Sequence, residues 1–452
     1  MNSVNIRELA LDVLIEVMEH GGFSHVVIRQ TLRKYQYLEK QERSFLTRLT
    51  EGTIEYALYL DYVIDSFSNT KVKKMKPLIR NLLRMSVYQI LFMDAVPDAA
   101  ACNEAVKIAI KRNFGPLKGF VNGVLRNISR NKENLTMPNA SEDLINALSV
   151  EYSMPQWLVE KFVVELGTVE ASKLLKAFLS HNKRICVRCN THKASVDEIV
   201  KMLEDEGVTV TRSESYSEAL YIEDFDYLER IPAFEEGYIQ VQDMSSIMVA
   251  CIASPKENDF IIDMCAAPGG KSLHMADITK NKAKILARDV SESKVAFIED
   301  NIERTGLDCI ETEVWDGTVA DGRYTDKADI VVADVPCSGL GVISKKPDIK
   351  YKATEDGLKE LVKLQRSICE NALSYVKPGG IFVYSTCTIN KDENENNIKW
   401  ILDNFDYEPI DISGYIPKKI SNESTTKGYI QILPDLGNND GFFIAKLRRK
   451  NG

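Results

Sequence analysis

The sequence contains no long hydrophobic run. None of its apolar stretches reaches the ~18 residues that a membrane-spanning helix requires. The first residues, Met-Asn-Ser-Val-Asn-Ile-Arg-Glu, lack the apolar segment of a secretory signal peptide. We therefore expect a cytoplasmic protein that does not bind a membrane. Its 452 residues, 44% of them hydrophobic, are enough for two or three domains with sizeable cores.

Paired cysteine motifs are also scarce. The chain has nine cysteines, an odd number that does not suggest a disulfide framework in a protein of this length. Cys186 and Cys189 have the spacing of a zinc-binding pair, but no second pair follows at a suitable distance. We therefore place both in one β-strand region and expect no metal.

Two common phosphate-binding motifs are missing from the glycine-rich stretch 263–271. The G-x-G-x-x-G pattern of dinucleotide-binding domains is absent there. Gly270-Lys271-Ser272 ends like a P-loop, but the first glycine of that motif would fall at Cys265. The stretch therefore favours neither a dinucleotide nor a nucleoside triphosphate.

What this stretch does have is the pattern of a strand-to-helix turn. The apolar run Phe260-Ile261-Ile262 predicts a buried strand, and a plausible helix start follows Lys271. Small residues and two glycines between them allow a ligand to approach the backbone closely. Backbone N–H groups at the helix start would point into the same space. We therefore expect the chain to bind its ligand at this turn.

Charge is distributed unevenly. The net charge of −9 argues against a nucleic-acid partner, but residues 1–140 carry 20 lysines and arginines against 14 acidic residues. This part is therefore modestly basic and the remainder is strongly acidic. Such a distribution permits RNA binding through a local patch. The basic residues that cluster there are Lys71, Lys73, Lys74, Lys76, Arg80 and Arg84.

Periodicity divides the chain into three regions. Residues 1–130 show helical stripes, such as Val121, Val124, Leu125 and Ile128, and 131–150 are polar enough for a linker. A mixed region follows, with a strand near 185–190, a helix over 193–206 and short strands over 207–241. From 259, strands alternate with helices at 292–305 and 355–376, which predicts a largely parallel sheet. Its strands are predicted at 259–264, 284–288, 309–314, 329–333 and 381–385.

Four segments resemble the RNA cytosine-5 methyltransferases of the NOL1/NOP2/Sun family. They are DMCAAPGGK (263–271), PCSGLGVISKKPDIKY (336–351), STCTINKDENENNI (385–398) and DGFFIAKLRR (440–449). Two others, VPDAAACNEAVKIAIK (96–111) and FVNGVLRNI (120–128), resemble the helical domain of the antitermination factor NusB. In one bacterial branch of the methyltransferase family, whose members methylate 16S ribosomal RNA, a NusB-like domain is fused to the methyltransferase domain. The chain most resembles this branch.

The resemblance implies a domain order. A NusB-like helical RNA-binding domain would occupy residues 1–138, followed by a linker and a small α+β RNA-facing subdomain at 139–240. Residues 241–452 would form an α/β Rossmann-like methyltransferase domain with S-adenosyl-L-methionine as its cofactor. The implied cofactor-binding residues are Cys265, Ala266, Ala267, Pro268, Gly269, Gly270, Lys271, Asp289, Asp316 and Asp334. Asp289 would accept hydrogen bonds from the ribose hydroxyls, and Asp316 would contact the adenine amino group.

Two cysteines follow adjacent predicted strands and would face one site. Cytosine C5 is a poor nucleophile, but a thiolate that adds to C6 makes an enamine whose C5 is nucleophilic. In the RNA family the Thr-Cys thiol, here Cys387, attacks C6, and the Pro-Cys thiol, here Cys337, assists product release as a base. Asp334 would contact N3 of the base. DNA cytosine methyltransferases instead attack with the Pro-Cys thiol, so chemistry alone does not decide which cysteine is the nucleophile.

Two other functions are open to a chain of this kind. A transfer-RNA cytosine-5 methyltransferase would share the cysteines, although those enzymes generally lack the NusB-like fusion. A non-catalytic RNA-binding factor in ribosome assembly would retain the fold, although the intact Asp334, Cys337 and Cys387 argue against it. The favoured function is methylation of 16S ribosomal RNA or a small-subunit precursor, by a protein that we expect to be a monomer.

Overall fold

The computed structural model describes residues 4–180, 184–435 and 439–451. Its helices are α1 (Ile6–Met18), α2 (Ser24–Lys34), α3 (Lys40–Glu55), α4 (Ala57–Phe67), α5 (Pro77–Phe92), α6 (Asp98–Lys111), α7 (Lys118–Asn131), α8 (Leu144–Glu151), α9 (Gln156–Leu166), α10 (Thr168–Phe178), α11 (Val196–Asp205), α12 (Pro232–Glu235), α13 (Met244–Ala253), α14 (Gly270–Ile278), α15 (Glu292–Thr305), α16 (Ile349–Lys352), α17 (Glu355–Tyr375), α18 (Glu395–Asn404) and α19 (Glu423–Thr426). No helix in this described part is both long enough and apolar enough to cross a bilayer.

The strands follow the same chain order. They are β1 (Ile185–Cys189), β2 (Thr209–Arg212), β3 (Ala219–Glu223), β4 (Ile239–Val241), β5 (Phe260–Asp263), β6 (Lys284–Asp289), β7 (Ile310–Val314), β8 (Ala328–Asp334), β9 (Val376–Thr386), β10 (Tyr407–Pro409), β11 (Tyr429–Ile432) and β12 (Phe442–Arg449). The chain folds into two compact units, one of residues 1–180 with 343–352 and one of residues 181–342 with 353–452.

The first unit is helical. Helix α1 starts at Asn5, whose side chain accepts hydrogen bonds from the backbone N–H groups of Arg7 and Glu8. The predicted apolar stripe of α7 is buried, because Val121, Val124, Leu125 and Ile128 all face the core. The first unit continues beyond the predicted NusB-like domain, since α8, α9 and α10 also belong to it.

One part of the predicted linker is helical. The polar composition of residues 131–150 predicts an irregular segment, but α8 begins at Leu144. Asp143 caps it by accepting a hydrogen bond from Asn146 N. The polar residues lie mainly before Asp143, whereas Ala147, Leu148 and Val150 are apolar and buried. Averaging composition over the whole stretch therefore hides a short amphipathic helix.

The first unit also contains a short segment from the second half of the sequence. Residues 343–352, which follow the Pro-Cys motif, pack among its helices and include α16. The buried Lys350 donates a hydrogen bond from Nζ to Glu55 O at 2.7 Å, and Lys352 Nζ donates to Gly22 O at 2.7 Å. Asp348 accepts a hydrogen bond from Ser24 Oγ. Specific polar contacts therefore hold this segment in the helical unit.

The second unit contains two sheets. The smaller is antiparallel in the order β2-β3-β1-β4, and Cys186 and Cys189 lie on its β1 as expected. Helix α11 follows β1 and begins with a reciprocal capping box between Ser195 and Glu198. It runs over Val196–Asp205, slightly shorter than the predicted helix.

The larger sheet has the order β10-β12-β9-β8-β5-β6-β7, with β11 paired to β12. Strands β9, β8, β5, β6 and β7 are parallel neighbours, and β12 runs antiparallel to β9. The five predicted strands and the Rossmann-like α/β fold are confirmed. The carboxyl ends of β5, β6, β8 and β9 all lie at one edge, and the candidate residues follow those ends.

Candidate active site

The glycine-rich stretch joins β5 to α14, as predicted. Asp263, the last residue of β5, is completely buried, and Ser272 Oγ donates a hydrogen bond to its Oδ2 at 2.6 Å. Burial raises the pKa of Asp263 to about 6. Among the described residues its Oδ1 has no hydrogen-bond partner. A buried, unsatisfied carboxylate oxygen at this turn is a candidate acceptor for a ligand.

Gly269 sets the path of the chain into α14. Its φ of +101° is a backbone conformation that other residues rarely adopt, and a Cβ there would lie 3.2 Å from Ile298 Cγ2. Helix α14 begins at the next residue, so the N–H groups of its first turn follow the loop directly. A side chain at position 269 would therefore disturb both the turn and its packing on α15.

Asp289 closes β6 beside this loop. Its Oδ2 accepts a hydrogen bond from Ala267 N at 3.0 Å, and its Oδ1 accepts one from Val290 N at 2.8 Å. Lys294 Nζ lies 3.0 Å from the same Oδ1. The carboxylate is thus fixed against the loop that the sequence predicts to hold the cofactor.

Asp316 lies in an exposed turn after β7. Its Oδ1 accepts hydrogen bonds from the backbone N–H and the hydroxyl group of Thr318, at 2.9 and 2.7 Å. These bonds lower the pKa of its carboxyl group. They give Asp316 a local role in shaping the turn, and its contact with adenine stays a prediction.

Lys271, in the first turn of α14, forms an ion pair with Asp334 at the end of β8. Lys271 Nζ lies 2.6 Å from Asp334 Oδ2, while Ser385 Oγ donates to Asp334 Oδ1 at 2.7 Å. Burial disfavours the ammonium form of Lys271, but its attraction to Asp334, Asp263 and Cys387 raises the pKa overall. Lys271 therefore stays positively charged next to a cysteine.

The two predicted cysteines come together. Cys337 Sγ and Cys387 Sγ are 3.2 Å apart, both residues are half-buried, and neither forms a disulfide. The Cys387 thiol and burial raise the pKa of Cys337 well above its usual range. Gly341 N donates to Cys387 O at 3.1 Å, and a Cβ on Gly341 would lie 2.8 Å from that oxygen and 2.0 Å from Gly441 O. The loop that carries Cys337 can therefore approach Cys387 only with glycine at position 341.

Sequence reasoning missed one buried carboxylate in this region. Glu393 is completely buried and accepts hydrogen bonds from Ser338, which follows Cys337, and from Thr388, which follows Cys387. Its position in the tract KDENENN, just after the Thr-Cys motif, is the signal that could have singled it out. The sequence pattern alone gives this tract no role beyond its resemblance to the family.

A second polar cluster lies outside this site. Glu218, Cys251 and His274 bring their ligand atoms within 4.8 Å of one another. Burial and the charge of Arg188 lower the pKa of His274 to about 4, so its imidazole is neutral at pH 7. Arg188 is itself completely buried and bonds to Asp277. The positive charge of this guanidinium acts on His274 and opposes binding of a cation at the cluster.

Family models match three parts of the chain. The model described as 16S rRNA methyltransferase RsmB/F matches residues 250–448, and the NusB family model matches residues 4–130. A model described as the ferredoxin-like domain of RsmF/B-like methyltransferases matches residues 154–226. The resemblances to a methyltransferase and to NusB are thereby confirmed.

Relatives match over the whole length. The probable ribosomal RNA small subunit methyltransferase B of Bacillus subtilis (strain 168) is 35% identical, with 100% of each chain covered. The crystal structure of PH0851 is 28% identical, with a TM-score of 0.82 over 98% of this chain and 99% of that one. The crystal structure titled NSun6 from Pyrococcus horikoshii with SFG is 25% identical, with a TM-score of 0.58 over 66% of this chain and 99% of that one. The chain therefore belongs to the family of ribosomal RNA small subunit methyltransferase B.

Proposed function

We propose that the protein transfers a methyl group from S-adenosyl-L-methionine to C5 of a cytosine in 16S ribosomal RNA, through a covalent adduct between Cys387 and C6. The observation that carries this proposal is the 3.2 Å separation of the Cys337 and Cys387 sulfur atoms. Both follow strands whose carboxyl ends lie next to the glycine-rich turn. A methyltransferase that acted on a nitrogen or an exocyclic oxygen would have no need of two adjacent thiols.

The predicted cofactor, S-adenosyl-L-methionine, is confirmed by the methyltransferase family, and the residues around the turn fit it. Asp263 Oδ1 is buried without a partner in the described chain, and it could accept a hydrogen bond from an amino group. Asp289 is fixed where it could also accept hydrogen bonds from ribose hydroxyls. Asp316 is proposed to contact adenine. The cofactor would supply an electrophilic methyl group on a sulfonium centre, which suits the acidic surroundings formed by Asp263, Asp289 and Asp334.

The first chemical step would be attack by Cys387. A thiol near a cation ionises more readily, and Lys271 lies close enough to Cys387 for the two charges to interact. The thiolate adds its electron pair to C6, and the C5–C6 double bond becomes part of an enamine. Solvent would supply a proton to N3 of this adduct, and Asp334, held by Lys271 and Ser385, would accept a hydrogen bond from that N3–H group.

The remaining steps would restore the aromatic ring. The C5 carbon would take the methyl group as its bond to the sulfonium sulfur breaks and the cofactor becomes a neutral thioether, so that C5 then carries both the new methyl group and its original hydrogen. Once the Cys387 sulfur is bonded to C6, the Cys387 thiol no longer disfavours the Cys337 thiolate. Cys337 would then lose its own proton to solvent and remove the C5 proton. The electrons of the C5–H bond reform the C5–C6 double bond, and the bond between Cys387 and C6 breaks. The N3 proton returns to solvent as the methylated cytosine leaves, and Cys387 regains its thiolate.

RNA would bind partly through the helical region 1–138. The NusB family model matches residues 4–130 of this region, and four of its clustered lysines, Lys71, Lys73, Lys74 and Lys76, are exposed. The other two residues of the predicted basic cluster are committed within the fold. Arg80 pairs with Glu19, and Arg84 pairs with Asp61 at 2.7 Å. We therefore assign phosphate contacts to the lysines alone.

Transfer of a labelled methyl group tests the proposal. The protein should methylate 16S ribosomal RNA, either free or within an assembling small subunit, and bisulfite sequencing should locate a 5-methylcytosine that is absent from a strain lacking the protein. Methylation of transfer RNA alone would select the first alternative function. Absence of transfer to any RNA fraction, by a folded protein that binds RNA, would select the non-catalytic alternative.

A further inference from the structure

Glu393 is a buried carboxylate that touches both cysteine-bearing loops. Its side chain is completely inaccessible to solvent, and it lies between β9 and α18. On one side, Ser338, the neighbour of Cys337, donates its backbone N–H to Oε2 at 2.9 Å and its hydroxyl to Oε1 at 2.5 Å. On the other side, Asn390 Nδ2 donates to Oε1 at 3.0 Å.

Further hydrogen bonds join the partners of Glu393 to the residues beside the two cysteines. Gln365 Nε2 donates to Glu393 Oε2 at 2.8 Å and also to Pro336 O at 2.9 Å. Ser338 Oγ lies 2.7 Å from the hydroxyl oxygen of Thr388, the neighbour of Cys387. The residues on either side of Cys337 and the residue after Cys387 are therefore all tied to Glu393 or to its partners.

The carboxylate is held by neutral donors. Within the described ranges 4–180, 184–435 and 439–451, the hydrogen bonds of Glu393 come from one backbone amide, hydroxyl groups and side-chain amides. Burying a charge without a cation is costly unless many hydrogen bonds compensate it. A glutamine would fill the same space without that cost, but its amide nitrogen could not accept from Ser338 or Asn390. Glutamate is thus the residue whose two oxygens can accept from every one of these donors.

The position of this charge also distinguishes the two thiols. The Cys387 thiol and burial are the main causes that disfavour the Cys337 thiolate, and the charges of Glu393 and Asp334 act in the same direction. Lys271 acts instead on Cys387, whose thiolate it stabilises. The pair therefore lies in an electrostatic gradient, and a single negative charge shared between the two sulfur atoms is more stable on Cys387.

We propose that Glu393 is a positioning residue that holds the Cys337 loop against the Cys387 loop and, through its charge, directs ionisation of the thiol pair to Cys387. Its consequence for catalysis rests on the proposed function. Its effect on the distance between the two thiols and on their unequal reactivity does not depend on the proposed function.

The test measures the thiols without RNA or cofactor. In the wild-type protein, iodoacetamide should modify Cys387 faster than Cys337 at neutral pH, as followed by mass spectrometry of the two peptides. Glu393→Gln should raise the alkylation rate of Cys337 about tenfold, because it removes a negative charge that disfavours the Cys337 thiolate. The difference between the alkylation rates of Cys337 and Cys387 should therefore become smaller. Glu393→Gln should also reduce bridging of Cys337 and Cys387 by dibromobimane, a reagent that fluoresces when it joins two neighbouring thiols.

Matched variants make the result specific. Asp392→Asn removes an exposed carboxylate one residue away and should change neither the alkylation ratio nor the bridging. Ser338→Ala removes only one hydroxyl donor, so it should reduce dibromobimane bridging of the two cysteines, but by less than Glu393→Gln does. If Glu393→Gln fails to fold, the bridging of Ser338→Ala tests the proposal in its place. The inference would be overturned if Glu393→Gln gave the same alkylation ratio as Asp392→Asn, or if Ser338→Ala were bridged as efficiently as Asp392→Asn.

The catalytic consequence is measured separately. If both proposals hold, Glu393→Gln should leave the KM for S-adenosyl-L-methionine nearly unchanged, lower kcat and accumulate a protein–RNA adduct. A wild-type protein that forms no adduct and methylates no cytosine, but shows the expected alkylation and bridging pattern, would refute the proposed function and leave the role of Glu393 intact.

Discussion

The Nζ atom of Lys271 lies 2.6 Å from Asp334 Oδ2 and within electrostatic reach of Cys387. One ammonium group therefore serves two proposed functions, since it orients the carboxylate assigned to N3 and stabilises the thiolate assigned to C6. It comes from the first turn of α14, whereas Asp334 and Cys387 lie at the ends of β8 and β9. The glycine-rich turn thus contributes to the cysteine chemistry as well as to the proposed cofactor site.

Neutralising Lys271 should make Cys387 less reactive. We expect Lys271→Gln to slow alkylation of Cys387 by iodoacetamide at pH 7 by about tenfold, because the thiolate loses a neighbouring cation. Mass spectrometry of the Cys387 peptide from the protein without cofactor would measure the rate. Lys280→Gln, which changes an exposed lysine paired with Glu257, is the control. Equal rates in the two variants would place the source of thiolate stabilisation elsewhere.

The two thiols should give opposite results when they are removed one at a time. Cys387→Ala should abolish turnover and form no covalent RNA adduct, because C6 is never attacked. Cys337→Ala should still attack and transfer the methyl group, but release fails, so a protein–RNA band should survive denaturing electrophoresis. The double variant should lose that band. Accumulation of the adduct by Cys387→Ala instead would show that the two cysteines have exchanged roles.

Removing the Asp289 carboxylate should weaken binding of S-adenosyl-L-methionine. Loss of a charged hydrogen-bond acceptor costs roughly 1.5–3 kcal/mol, which corresponds to about one to two decades in affinity. Calorimetry should therefore show a large rise in Kd for Asp289→Ala and little change for Asp300→Ala, an exposed position on α15. If the two variants bind equally, Asp289 does not contact the cofactor.

Local pattern predicts the parallel strands and the turn, since a run such as Phe260-Ile261-Ile262 and the small residues after it determine their own conformation. Local pattern does not predict contacts between residues that are far apart in the sequence. Asp277 has the sequence context of an ordinary helical residue, but it is buried in an ion pair with Arg188, 89 positions away. Lys350 meets Glu55 across 295 positions, and Ser338 meets Glu393 across 55. Such pairings depend on which strands become neighbours, and hydrophobic periodicity carries no information about that.

The exposed lysines of the helical unit should contribute salt-dependent RNA affinity. The double variant Lys73→Gln/Lys74→Gln should weaken binding of 16S ribosomal RNA. The plot of log K against log salt should become less steep, by roughly 0.7–0.9 for each phosphate that is no longer neutralised. The affinity for S-adenosyl-L-methionine should stay the same. Lys359→Gln/Lys363→Gln removes the same charge from exposed positions of α17 and serves as the control. Identical salt slopes for both double variants would mean that the cluster at 71–76 does not bind RNA.

Asp263 should impose a pH dependence on stability. Burial raises its pKa from 3.8 to about 6, so the folded state holds its proton more tightly than the unfolded state does. Its contribution is fully present below about pH 4 and is lost as the pH rises through about 6, a change on the order of 3 kcal/mol. Asp263→Asn cannot ionise, so the unfolding temperature of the wild-type protein relative to this variant should fall between about pH 4.5 and 7.5. Differential scanning calorimetry without cofactor would measure this trend, and Asp300→Asn, at a solvent-exposed carboxylate, should show none. If the unfolding temperatures of the wild-type protein and Asp263→Asn changed in parallel across this pH range, Asp263 would titrate as an ordinary carboxylate despite its burial.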